Sequence, residues 1–157
     1  MKTIDTYAYV SALRELTEAG KEVSMLISGS SMAPFLCHQR DTIVFRKPDP
    51  VAEKPLKRGD MVFYQRASGQ FVMHRIYRVR PEGLYIVGDA QTEIEGPVAL
   101  EQVFAIVTGV QRKGIWIGPD DFWWKFFRTV WIRLVPLRPV LVKAYGLICR
   151  LKCRTRS

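Results

Sequence analysis

The stretch MVFYQRASGQFVMHRIYRVRPEGLYIV, residues 61–87, decides the fold class. Residues 61–65 are rich in apolar and aromatic side chains, residues 67–70 carry a Ser-Gly turn signal, and residues 71–79 return as a second apolar-patterned run. Pro81-Glu82-Gly83 then reverses the chain, and residues 84–87 bring it back. Short runs of this composition, bounded by Gly, Pro and Ser, read as antiparallel strands joined by tight turns. The turns are too short for the helical crossovers that parallel strands require.

The same pattern continues on both sides of this stretch. Residues 21–28 and 42–46 precede it as strands, and residues 103–112 and 115–117 follow it. A polar loop with Pro48, Pro50 and Pro55 ends at the turn Arg58-Gly59-Asp60. Many short strands with few helices predict a mainly β (β+α) domain over residues 21–118, built on a partly closed, barrel-like sheet. Before it, Ile4, Tyr7, Val10, Leu13 and Leu16 recur at helical spacing over residues 3–19 and Gly20 stops the run, which makes residues 1–20 an N-terminal amphipathic helix. After it, Asp120 and Asp121 can cap a helix that begins at the aromatic run Phe122-Trp123-Trp124. Pro136 and Pro139 break that pattern, and residues 140–151 read as a second helix, so residues 119–157 form an aromatic, basic, helical extension.

A chain of 157 residues fits one domain with an appendage, and 48% apolar residues suffice for a core. The net charge of +9 is uneven: every charged residue from Lys125 to Arg156 is basic. Such a balance attracts anionic lipid, acidic peptides or nucleic acid. The tail matches no nucleic-acid-binding motif, so no nucleic-acid partner is expected. Trp and Phe interleaved with Lys and Arg suit a lipid headgroup region, and the alternative is that Trp123, Trp124, Phe127 and Trp131 pack on the β domain as core. Three cysteines, Cys37, Cys149 and Cys153, give no disulfide framework, and two of them at helical spacing without a histidine do not make a zinc site. No metal or cofactor is expected. No secretory signal and no run of about 18 apolar residues is present, which predicts a cytoplasmic protein, peripheral at most on the cytoplasmic membrane face.

Three short elements carry chemistry. Gly29-Ser30-Ser31-Met32-Ala33-Pro34 follows a strand, and a serine in such a turn can present its hydroxyl beside backbone N–H groups that form an oxyanion site. A serine hydroxyl needs a base within hydrogen-bond reach to act as a nucleophile. Val72-Met73-His74-Arg75-Ile76 places one of two histidines in an apolar-patterned strand, where it is either a structural residue or a general base. His38, the other histidine, falls in a loop and reads as a surface residue. Val87-Gly88-Asp89-Ala90-Gln91, followed by Glu93 and Glu95, offers carboxylates that could orient the imidazole. Each element alone is an ordinary turn or strand.

Their order is more specific. Gly-x-Ser-Met-x-Pro at a strand end, the Gly59-Asp60 turn into a strand, the His74-Arg75 strand and Gly88-Asp89 after a short strand together resemble signal peptidase I over residues 23–110. The resemblance is closest to the archaeal and endoplasmic-reticulum type, which pairs Ser with His where the common bacterial type pairs Ser with Lys. The wider superfamily includes the self-cleaving SOS repressors. The resemblance implies a serine endopeptidase with Ser31 as the acyl-forming nucleophile, His74 as its base, and Met32 and Pro34 shaping a substrate-facing turn. Asp89 matches the family's Gly-Asp carboxylate. The eukaryote-like enzymes carry a further Asp a few residues later; here Glu93 and Glu95 stand in that region, which leaves the third member as Asp89, Glu95 or both. Gly29 occupies the position where many signal peptidases have an oxyanion-hole Ser, so Ser28 or Ser30 would substitute, or the backbone N–H of Ser31 would serve alone. The expected substrate is a leader or signal-type peptide or a partner protein. Two other readings stand beside this one: a non-catalytic peptidase-like binding or scaffold module at a membrane surface, and a self-cleaving repressor-like protein, for which Ala19-Gly20 supplies the bond.

Overall fold

In the computed structural model, which describes residues 6–49, 56–141 and 143–144, the pattern of residues 61–87 becomes three consecutive antiparallel strands. In chain order the elements are helix α1 (Thr6–Glu18), strands β1 (Val23–Leu26), β2 (Thr42–Arg46), β3 (Met61–Gln65), β4 (Phe71–Arg80), β5 (Gly83–Val87) and β6 (Glu95–Val98), one 3-10 turn (Leu100–Gln102), strands β7 (Val103–Arg112) and β8 (Ile115–Ile117), then helix α2 (Phe122–Thr129) and a 3-10 helix (Trp131–Leu137). The sheet order is β1-β2-β7-β3-β4-β5-β6, with β8 also on β7. The protein is thus mainly β with helices at both ends, as its sequence predicts. The sheet is an open path whose ends, β1 and β6, do not pair.

Side chains alternate across a strand, so a strand covered on one face alone shows alternating burial. β3 does not: Met61 and Phe63 enter one apolar cluster with Ile43, Phe45 and Phe104, while Val62 and Tyr64 enter another with Ile76, Leu84 and Ile86. Both faces of β3 are thus covered. Register shifts between Val44 and Phe45, Phe63 and Tyr64, Ile76 and Arg78, and Leu84 and Ile86 are the irregularities at which a sheet bends and twists.

The pairing is offset in a way that bears on function. β3 pairs with residues 71–75 of β4, whereas β5 pairs only with residues 75–80. Residues 71–74 therefore keep one edge outside the sheet. β1 pairs with β2 alone and has a free edge too.

Two elements differ from the sequence expectation. β1 covers only the middle of residues 21–28. β6 lies where the sequence shows Gly96-Pro97, which reads as a turn; proline cannot donate to a ladder, but at the end of the sheet it need not. Gly96 fits there because a Cβ would lie 2.7 Å from the Leu84 carbonyl oxygen.

The extension begins at Asp121, whose carboxylate accepts from the N–H groups of Trp123 and Trp124 at 2.8 and 3.2 Å. Trp124 and Phe127 are buried against Phe35, with ring centroids 6.1 and 4.9 Å away. Ile132 and Val135 pack with Val87. Phe122 and Trp123 stay 70% and 51% exposed, so the aromatic run divides between core and surface. Pro136 sits inside the 3-10 helix and does not end it, because the Arg138 N–H reaches back to the carbonyls of Leu134 and Val135. Residues 138–141 continue helically. The rest of the second predicted helix, and Cys149 and Cys153, lie largely or wholly outside the described residues. Among the described residues no helix is long and apolar enough to cross a membrane.

Candidate active site

The turn carrying Ser31 is fixed from two sides. On the first, Gly29 takes φ +97°, a conformation that suits glycine, and donates its N–H to Nδ1 of His38 at 2.9 Å. The N–H of Ala33 bonds to the Ser30 carbonyl and that of Leu36 to the Met32 carbonyl. Met32, Phe35 and Leu36 are buried and hold the turn on the core. His38, an exposed residue as expected, thus serves the backbone of this turn.

On the second side lies the turn after β5. The Ala90 N–H donates to the Ser31 carbonyl at 2.9 Å. Gly88 makes this approach possible, since a Cβ there would lie 2.5 Å from that same oxygen. Asp89 anchors the turn: its carboxylate receives Nε and Nη2 of Arg75 at 3.0 and 2.8 Å, with both side chains fully buried. Arg75 spends Nη1 on the Gly59 carbonyl at 2.9 Å and lies 5.2 Å from the Phe35 ring centroid. This corrects one reading of the sequence. Asp89 does not orient His74; both its oxygens belong to Arg75, the next residue along β4, and successive residues of a strand face opposite sides.

His74 stands opposite Val62 on β4 and is 4% exposed. Its Nδ1 is buried with no hydrogen-bond partner. Burial holds its pKa down to about 4, the Arg66 guanidinium pushes the same way, and Glu95 opposes both. The ring is therefore neutral near pH 7, the form that accepts a proton. Glu95 accepts from the Tyr64 hydroxyl at 2.7 Å and from Nε and Nη2 of Arg66 at 2.8 and 2.5 Å. The Arg66 bonds, above all, keep its carboxyl below the usual carboxylate range. Tyr64, whose ring centroid is 6.3 Å from that of His74, is raised well above the usual phenol range by burial and by Glu95. Glu95 therefore acts on His74 through charge, not through a hydrogen bond.

Ser31 and His74 line one cleft of about 450 Å³. One wall is formed by residues 25–29 and the other by residues 70–74, the two segments that include the unpaired strand edges. Met32, Arg66 and Gln91 complete it around Ser31, and α1 adds Tyr9 and Val10. No hydrogen bond joins Ser31 to His74; such bonds are often loose before substrate binds. Gly29 and Ser28 belong to the lining, whereas Ser30 and Pro34 are exposed and outside it. Met32 serves core and cleft together. A second cleft of about 490 Å³, lined by residues 90–95, meets the first at Arg66 and Gln91. The Ala19–Gly20 bond lies in the turn just past the end of α1, where the Ala19 N–H bonds to the Glu15 carbonyl and the Gly20 N–H to the Thr17 carbonyl, and it is not part of the lining.

The sequence assigns no site role to Tyr64, Arg66, Arg75, Gln91, Trp131 or Arg138, although Arg75 and Gln91 stand in its chemistry-bearing stretches and Trp131 in its aromatic run.

No family model matches the chain, nor does any curated protein or solved structure.

Proposed function

We propose that the chain is a serine endopeptidase of the signal-peptidase I-like superfamily, acting on a leader or signal-type peptide or on a partner protein. The observation that carries this reading is that Ser31 and His74, far apart in sequence, share one cleft between two unpaired strand edges. His74 takes the Ser31 proton as Ser31 attacks the scissile carbonyl, and returns it to the leaving amine. N–H groups of the Ser31 turn stabilise the oxyanion. An extended substrate adds to the free edge of β1 or of residues 71–74, its backbone supplying the missing ladder partners. Glu95 supports the imidazolium that forms, by charge. Precursors from neighbouring genes, co-expressed with wild type, Ser31→Ala or His74→Ala and read by intact mass, test the reading. Cleavage by the wild type alone supports it; cleavage by all three contradicts it.

The exposed Phe122 and Trp123, together with exposed Val130, Leu137 and Val140 and the bases Lys125 and Arg133, favour a peripheral site on an anionic membrane, on its cytoplasmic face. Sedimentation with vesicles containing anionic lipid at low salt, but not with neutral vesicles, is the expected result. Equal failure with both removes the membrane from the proposal.

A second reading, a peptidase-like scaffold without activity, is favoured by one observation. His74 Nδ1 has no partner, and the nearby carboxylate of Glu95 is engaged by Arg66 and Tyr64. Absence of cleavage with every candidate precursor would favour it.

A further inference from the structure

Arg138 is 2% exposed, and among the described residues no carboxylate is hydrogen-bonded to it. Its Nη1 donates to the carbonyls of Gly88 and Gln91 at 2.7 and 2.6 Å, and Nη2 to the Trp131 carbonyl at 3.2 Å. Its Nε is buried without a partner. The guanidinium lies 5.1 Å from the Trp131 ring centroid. Trp131 in turn donates Nε1–H to the Asp89 carbonyl at 2.9 Å. Two side chains of the extension therefore hold three carbonyls of the turn that binds Ser31 through Ala90. Burying a guanidinium among carbonyls carries a desolvation cost that apolar packing would not. The contacts of Ile132 and Val135 with Val87 already dock the extension.

We propose that Trp131 and Arg138 are positioning residues for the nucleophile. They fix the turn over residues 88–91, and that turn fixes the Ser31 carbonyl through the Ala90 N–H. The C-terminal extension is in this sense part of the mount of Ser31. The catalytic consequence rests on the peptidase reading above; the mechanical one does not.

The test uses the full chain with Trp131→Phe, which keeps an aromatic ring and removes the Nε1–H donor, and Arg138→Met, which keeps an apolar stem and removes every donor. Val110→Ala, at a buried residue of β7 paired with β2 and β8, serves as a control that lowers stability without altering the contacts of the turn or of the extension. Amide exchange at Ala90 is read by NMR, with kcat and KM on a cleaved peptide. The expected result is exchange at Ala90 faster by about tenfold in both variants, with kcat lowered by about fivefold or more and KM within about twofold. Val110→Ala lowers Tm and leaves kcat near wild type. Unchanged exchange at Ala90 in both variants overturns the proposal, as does an equal loss of kcat in Val110→Ala. If the wild type cleaves nothing, the peptidase reading fails, and the Ala90 exchange alone decides: faster exchange supports the positioning role, and unchanged exchange overturns it.

Discussion

His74 shows how far a side chain's chemistry depends on what surrounds it. Its place in an apolar-patterned strand was visible in the sequence. The partner of each carboxylate was not, because Arg66 and Arg75 are distributed to Glu95 and Asp89 by the pairing of four strands, β3 to β6. The burial of His74 has a measurable consequence. Its pKa is about 4 in the fold against an ordinary 6.5, so between those values the unfolded chain binds more protons than the native one. Stability therefore rises with pH across that window and is level above it, and its loss on going down to pH 4 is about 3 kcal/mol. Urea denaturation of wild type and His74→Gln at several pH values checks this. The difference between the two should narrow as pH falls from 6.5 to 4; a constant difference would show that the ring is not held neutral.

At the scale of elements, the hairpins over residues 61–87 could be read closely because Gly, Pro and Ser punctuate them and apolar residues fill the runs between. β6 could not be read, since its Gly96-Pro97 looks like a turn and is tolerated only by its position at the end of the sheet. The turn after β5 carries the sharpest test. A Cβ on Gly88 would meet backbone oxygen, which cannot swing aside as a flexible side chain can. Gly88→Ala must therefore push the Ser31 turn and the turn after β5 apart, at a cost of about 1–3 kcal/mol in stability. Thermal melts report that cost, and cleavage assays should show a larger loss of kcat than of substrate binding. An unperturbed melt with full activity would mean that the two turns are not held as close as described.

For the whole molecule, the two free strand edges, the turn of Ser31 and the clamp from the extension converge on one cleft. The mainly β class was legible from strand and turn composition, and the helical ends from spacing and capping residues. The division of the aromatic run was not, because a run such as Phe122-Trp123-Trp124 contains both core and surface residues and only the packing against Phe35 separates them. The central claim, that Ser31 and His74 together cut a peptide, is tested most directly by the cleavage rate of one precursor. Wild type, Ser31→Ala and His74→Ala are compared after their melts show that all three are folded. The predicted result is a fall of about a thousandfold or more in kcat for each variant, with product of the same mass wherever cleavage persists. Cleavage by folded Ser31→Ala at the wild-type rate would contradict it.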